Sequence, residues 1–447
     1  MSTPNLPLLR AKRSGPLRGT CRVPGDKSVS HRALLFGALC DGTVDIRGLG
    51  EGGDNRSTAR ALEALGVGIR LSGSEADVRG VGFQGLRAAP GPLDCGNSGT
   101  TIRMMTGLLA GRPFETILEG DASLTKRPMR RLATPLREMG AVIDGRADPA
   151  RPADIFPPLR VRGGALRGFS YDLPVASAQL KSALVLAGLQ ATGRTVLREP
   201  ATSRDHTERM LRFLGAPITA DAATNTIVVD PTGWGGRLRA GPITVPGDLS
   251  SATFLLVAAL TIDGSDVVVE NVGLNPTRTG ALDVLAAMGA DLTIEPTGEA
   301  MGEPVGRVRA RARRLRGTNV GGTLALRAID EIPALAVAAA LAEGVTIFSD
   351  LEELRIKESD RIAALARELT RAGVRVEERK DGFLVEGLGG KSPAGGVVTP
   401  EHDHRIAMAG VILGLSAGDE TISPADDIAT SFPTFAETLR ALGASLD

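Results

Sequence analysis

Lys and Arg recur where this chain should begin its helices: Lys27 and Arg32 in PGDKSVSHR, Arg103 in GNSGTTIR, Arg127 in LTKRPM, Lys181 beside Gln179 in SAQLKS, Arg204 in TSRDH, Lys357 and Arg361 in RIKESDR, and Arg405 in EHDHR. A helix start carries unpaired backbone N–H groups and the positive end of the macrodipole, so it already favours anions, and a cation there strengthens the preference. One Arg at a helix start is ordinary solvated surface charge. Repetition along the chain is what points to a site for anionic ligands. GNSGTT has the composition of a backbone-lined anion turn. RIKESDR places Lys357 and Arg361 four apart, which on a helix is one face, with Glu358 between them and Ser359 or Asp360 as N-cap. The same residues also make a capped helix with a surface ion pair. His402 and His404 in EHDH lack a second ligand cluster in a chain with 4 His, so the stretch reads better as a loop entering a helix than as a metal site. The PGD motif lacks the GKS/T ending of a P-loop.

The elements that must position these residues repeat. VPGDKSVSHR returns as VPGDLSSAT, with Pro24, Gly25, Asp26, Ser28 and Gly42 recurring 222 residues on as Pro246, Gly247, Asp248, Ser250 and Gly264. An amphipathic helical pattern runs into a Gly and then a strand-like segment at Gly66, Gly140, Gly215, Gly289, Gly373 and Gly443, at steps of 74, 75, 74, 84 and 70 residues. Each Gly suits a left-handed C-cap. A second helix, richer in small residues, accompanies each, as in TTIRMMTGLLAG and ALAVAAALAEG. Six units follow, three to a half. One half runs from about Gly25 to Gly241 and the other from there to the C-terminus, with Ala- and Gly-rich helices expected inside each half and more polar ones outside. Packing tolerates approximate repetition whereas a site needs particular charges, so positions that break the repeat towards Lys, Arg, Asp or Glu are the informative ones.

A chain of 447 residues favours two domains of roughly 200 residues each. Its 42% hydrophobic content and mean hydropathy of +0.04 exclude a mainly disordered chain. No apolar run is long enough to span a bilayer. Fifty-two basic residues balance 52 acidic ones, which argues against a nucleic-acid footprint. Cys21, Cys40 and Cys95, read as lying in strand, helix and turn, have no metal or disulfide spacing and suggest reduced thiols in the cytosol. MSTPNLPLLRAKRSG lacks the apolar core and cleavage site of a secretory signal.

In this order, PGDKSVSHR, GNSGTTIR, GDASLTKRPM, SAQLKSAL, RIKESDR, DHRIAM and IATSFP, spread over residues 24–433, strongly resemble the EPSP synthase family, the 3-phosphoshikimate 1-carboxyvinyltransferases. The resemblance implies an α/β fold of two similar domains, each of three βαβαββ units forming an inside-out α/β barrel, with the active site in the interdomain cleft. The domains would be 25–243 and 1–24 plus 244–447. It implies transfer of enolpyruvyl from phosphoenolpyruvate to the 5-hydroxyl of shikimate 3-phosphate, without metal or cofactor, by a cytoplasmic monomer that binds neither nucleic acid nor membrane. A phosphomonoester carries about −1.5 to −2 charge near neutrality, and each substrate adds a carboxylate, so the two repel unless Lys and Arg surround them. That gives the cations a purpose.

By this resemblance shikimate 3-phosphate is held by Lys27, Ser28, Arg32, Ser177, Ala178, Gln179, Arg204, Asp330 and Lys357. Phosphoenolpyruvate falls to Lys27, Gly99, Arg127, Gln179, Arg361 and Arg405, with Arg matching planar anionic forks and Lys acting as a point charge. Asp330 in AIDEIPAL is the expected base towards the hydroxyl, although Glu331 is adjacent and an N-cap role is open to Asp330. Glu358 is the expected proton donor to the methylene carbon, with Lys27 assisting proton transfer or the leaving phosphate. Two departures stand out: Ser177-Ala178-Gln179 where many members have Ser-Ser-Gln, and Thr430 where many have Lys. Both resemble a subgroup linked to tolerance of the inhibitor glyphosate, while Gly99 is retained. Three other readings are weaker. The enolpyruvyl transferase acting on UDP-N-acetylglucosamine would need a reactive-cysteine loop, a phosphate-ester cyclase a nucleotide site and a nucleophilic His, and a non-enzymatic scaffold no preference for charged breaks at helix starts.

Overall fold

The computed structural model describes residues 8–447 as a mixed α/β chain; residues 1–7, which include the beginning of the stretch read for a signal, lie outside the described part. Strands among the described residues form six sheets of three to five strands. The sheet around Phe156–Arg162 shows how they are built. Leu93–Asp94 leads through the helix Gly99–Leu109 to Glu115–Glu119, which lies parallel to it. The helix Arg130–Met139 then leads to Val142–Arg146, which turns back into Phe156–Arg162, the strand that joins the other two antiparallel. Ser170–Asp172, Thr195–Arg198, Ile218–Asp221 and Thr226–Val229 repeat the pattern, as do Asn319–Val320, Val345–Phe348, Arg375–Arg379 and Gly382–Glu386. The parallel step needs a crossover and the antiparallel one only a turn, so a helix stands at the first and a short loop at the second.

All six repeat glycines end or follow a helix in left-handed backbone: φ is +91° at Gly66, +117° at Gly140, +83° at Gly215, +82° at Gly289 and Gly373, and +100° at Gly443. The periodicity thus read a real stop signal. The small-residue helices are the buried ones. Residues 249–260 of Leu249–Thr261 are buried without a break, and Ile332–Leu341 is buried over all but its last residue. A helix apolar all round has no solvent face. Leu249–Thr261, Ile332–Leu341 and His404–Gly414 pack on one another. Gly99–Leu109 likewise packs on Ala178–Gly188 so closely that a Cβ at Gly107 would collide with the Ala183 backbone. The partner helices, such as Arg361–Arg371, bury one face only.

The chain separates into two compact units. One holds Gly25–Val245 with Ala300–Glu303; the other holds described residues 8–24 with Pro246–Glu299 and Pro304–Asp447. In the second unit Leu8–Ala11 pairs antiparallel with Thr421–Pro424, and Arg18–Arg22 pairs parallel with Asp266–Gly273. The chain changes unit at Pro246 rather than at 244, because Ile243–Thr244 pairs with Cys40–Arg47 and Val245 N–H donates to Arg47 O. The turn at 300–303 joins the first unit through Arg209, which donates to Gly302 O at 2.7 Å, and through Glu303, 2.8 Å from His206 Nδ1.

Three local expectations need correction. Cys40 is the first residue of a strand, not part of a helix, because the helix Lys27–Ala38 ends two residues earlier, Leu39 being its C-cap, and Cys40 pairs with Leu238. Lys357 and Arg361 do not share a helical face: Lys357 closes the 3-10 turn Glu352–Ile356 and the α-helix starts only at Arg361. Asp360 is the N-cap, its Oδ1 accepting from Ala363 N–H at 3.1 Å. Asp330 does not cap the helix Ile332–Leu341 either, since that position falls to Glu331, whose side chain makes no capping bond.

Candidate active site

In the unit Gly25–Val245 the expected residues open three buried helices. Asp26 caps the helix Lys27–Ala38 by accepting from Val29 N–H at 2.9 Å, which sets Lys27 in its first turn with Nζ 3.1 Å from Asp54. Ser98 caps Gly99–Leu109 and Ser177 caps Ala178–Gly188, each accepting from the N–H three residues on. Capping fixes where each first turn points, and therefore where its side chains go.

Gly99, Arg127 and Gln179 come together here with Arg103. Arg103 Nη1 donates to Gly99 O at 3.1 Å and to Gln179 Oε1 at 3.0 Å, and Gln179 Nε2 donates to Thr100 Oγ1 at 3.0 Å. Arg127 donates to Asn97 Oδ1 at 2.6 Å. A Cβ at Gly99 would lie 2.6 Å from Arg103 Nη1 and 3.0 Å from Arg127 Nη1, so the bare backbone there leaves room between two guanidinium groups. A Gly, an amide and two guanidiniums that meet beside a helix start can together hold an anion.

Arg32 sits deeper. It is 2% exposed and donates to Ser28 O, Ser182 Oγ and Thr207 Oγ1 at 2.9, 2.8 and 2.7 Å, so three of its five N–H groups bond inside the unit. Burial pushes its pKa down to about 10, Glu208, Asp26 and Glu303 oppose that, and Arg204 nearby pushes further down. Lys181 is a structural cation rather than a ligand group. Its Nζ lies 2.8 Å from Glu199 and 2.7 Å from Glu208 at 1% side-chain exposure. Burial alone would lower its pKa, but the two carboxylates outweigh it and raise it.

In the other unit Asp330, Lys357, Glu358, Arg361 and Arg405 gather around Asp403, a residue the sequence reading passed over. Arg361, 1% exposed, donates from Nε to Asp403 Oδ2 at 2.7 Å and from Nη2 to Glu358 Oε2 at 2.6 Å, and its Nη1 lies 3.5 Å from Asp330 Oδ1. Burial would lower the Arg361 pKa, but Asp403, Glu358 and Asp330 together raise it instead. Burial works to raise the Asp403 pKa, and Arg361 holds it below the usual carboxylate value despite Glu358. Lys357 Nζ is 3.8 Å from the same Asp330 oxygen. Asp403 also caps the helix His404–Gly414, accepting from Arg405 N–H at 2.9 Å. Its position two residues before Arg405 in EHDHR was the available signal. Asp330 keeps 18% side-chain exposure beside two cations whereas Glu331 has none, which separates the two adjacent carboxylates.

Burial pushes the Cys21 thiol up to about 11 and the Cys40 thiol to about 12, so neither offers a thiolate nucleophile. Among the described residues no group of three or more His, Cys, Asp or Glu side chains could hold a metal ion.

Residues 11–439 match the family model of EPSP synthase (3-phosphoshikimate 1-carboxyvinyltransferase). The chain is 48% identical over 425 residues to the 3-phosphoshikimate 1-carboxyvinyltransferase of Geobacter sulfurreducens, covering 95% of this chain and 96% of that protein. It is 50% identical over 436 residues to that of Alkalilimnicola ehrlichii, covering 97% and 95%. A solved structure of EPSP synthase from Acinetobacter baumannii superposes with a TM-score of 0.86 at 42% identity, over 98% of this chain and 99% of that one.

Proposed function

The chain belongs to the EPSP synthase (3-phosphoshikimate 1-carboxyvinyltransferase) family, and we propose how its own residues divide the work of that reaction. The enzyme transfers the enolpyruvyl group of phosphoenolpyruvate to the 5-hydroxyl of shikimate 3-phosphate, releasing phosphate, in chorismate and aromatic amino acid biosynthesis. The two units, Gly25–Val245 with Ala300–Glu303 and described residues 8–24 with Pro246–Glu299 and Pro304–Asp447, each act as a three-unit barrel of the inside-out kind. Lys27, Ser28, Arg32, Ser177, Ala178, Gln179, Arg204, Asp330 and Lys357 hold shikimate 3-phosphate. Lys27, Gly99, Arg127, Gln179, Arg361 and Arg405 hold phosphoenolpyruvate. In this reading the enzyme works as a monomer in the cytoplasm.

The observation that carries this reading is the sorting of charge. Gly99 stands between Arg103 and Arg127 where a planar anionic group can be held by forks, and Asp330 stands partly exposed beside Lys357 and Arg361. Asp330 removes the proton of the 5-hydroxyl, with Lys357 and Arg361 holding its carboxylate in place. Glu358, oriented by Arg361, delivers a proton to the methylene carbon of phosphoenolpyruvate. The oxygen–carbon bond forms to give a tetrahedral intermediate, the methyl group then returns a proton to the Glu358 carboxylate, and phosphate departs, with Lys27 stabilising its charge. Phosphate release measured with both substrates, against either alone, tests the reading: release should require both. Release from phosphoenolpyruvate alone at the same rate would refute it.

A further inference from the structure

The second copy of the repeated motif has no cation of its own at the position of Lys27, where Leu249 lies fully buried. Its charges arrive from elsewhere and meet at one hydroxyl. Ser250, the counterpart of Ser28, has its backbone N–H bound to Asp248 Oδ1 at 2.7 Å. Its Oγ accepts from Arg278 Nη2 at 3.0 Å and from Arg405 Nη1 at 3.1 Å, and donates to Glu331 Oε1. Arg278 also bonds Asp248 Oδ1 at 2.6 Å, and Arg405 Nη1 also donates to the backbone carbonyl of Asp330. Asp248, Ser250, Arg278, Glu331 and Arg405 are each at most 5% exposed.

A hydroxyl has one hydrogen and two acceptor sites, and a guanidinium can only donate. With two arginines on Ser250 Oγ, its hydrogen must point to Glu331, and the carboxylate thereby turns both lone pairs towards the cations. Glu331 Oε2 has no hydrogen-bond partner among the described residues, and Arg278 lies 4.0 Å from Oε1. A carboxylate buried with so little compensation is a poor source of stability. It is well placed to hold a geometry.

We infer that Ser250 and Glu331 are positioning residues for the reaction: they lock the Arg405 guanidinium against the backbone of Asp330, presetting the phosphoenolpyruvate cation relative to the base. Neither side chain touches substrate. The inference rests on the assignment of Arg405 to phosphoenolpyruvate, and the test keeps the two apart. In the full-length enzyme, KM for phosphoenolpyruvate and for shikimate 3-phosphate, kcat and thermal midpoint are compared for Ser250→Ala, Ser250→Thr, Glu331→Gln and Arg405→Ala. Loss of one charge-assisted hydrogen bond should raise KM for phosphoenolpyruvate about tenfold in Ser250→Ala. KM for shikimate 3-phosphate should move less than about twofold. Ser250→Thr, which keeps the hydroxyl, should restore most of the loss. Glu331→Gln, isosteric and still able to accept, should show a smaller rise in the same constant and stands in for Ser250→Ala if that variant does not fold. A raised KM for phosphoenolpyruvate in Arg405→Ala with wild-type values in Ser250→Ala and Glu331→Gln overturns the inference alone. Wild-type values in Arg405→Ala overturn the assignment of Arg405, and the inference with it.

Discussion

Arg361→Met removes the guanidinium that faces Asp403, Glu358 and Asp330 in one step. Asp403 has no side-chain exposure, and Arg361 supplies it with contacts at 2.7 and 3.3 Å. Breaking a buried pair by removing one partner costs about 3–5 kcal/mol, because the remaining charge is stranded. Asp403 would keep Ser359 Oγ at 3.1 Å and Arg405 N–H at 2.9 Å, which places the loss at the lower end, about 3 kcal/mol. Glu358 and Asp330 are each 18% exposed, so water relieves them and they add little. With a urea m-value of about 3 kcal/mol/M, the unfolding midpoint of this unit should fall by about 1 M. The sign with pH follows from Asp403. Its folded pKa lies below the unfolded value of 3.8, so its contribution is present above pH 3.8 and is lost as pH falls through the folded pKa. Without Arg361, burial raises that pKa, and acid unfolding should begin at higher pH. Arg361→Lys keeps the charge but not the fork and should fall between the two. Urea and acid titrations followed by circular dichroism measure both. A midpoint within about 0.2 M of wild type, with an unmoved acid limb, would refute the view that Arg361 neutralises Asp403.

Three further variants test the site. Asp330→Ala should still bind shikimate 3-phosphate yet lose kcat by about two to four orders of magnitude, whereas Glu358→Gln should specifically suppress exchange of the phosphoenolpyruvate methylene hydrogens with deuterated solvent; wild-type exchange in Glu358→Gln together with its loss in Asp330→Ala would swap the two roles. Gly99→Ala puts a methyl group against the ends of two arginine side chains rather than against backbone, so the thermal midpoint should stay near wild type while KM for phosphoenolpyruvate rises roughly tenfold, equivalent to ~1.4 kcal/mol. An unchanged KM there would place the ligand away from Gly99.

Much of this was legible in the chain because local rules wrote it. The six glycines stop six helices since only a residue without a Cβ takes left-handed backbone at no cost, and Asp26, Ser98 and Ser177 cap theirs because a short polar side chain reaches the orphan N–H groups from that position. The clustering of Arg and Lys at helix starts, and the motifs shared with the family, likewise stand in the sequence. What the sequence did not decide is which charges face each other. Lys181 sits between two glutamates 18 and 27 residues away, Asp403 receives Arg361 from 42 residues away, and Arg405 meets Ser250 across 155 residues. Such pairings depend on which helices pack together, and a side chain's burial, the quantity that turns an ordinary Arg or Asp into a held and tuned one, exists only once the tertiary fold has excluded water around it.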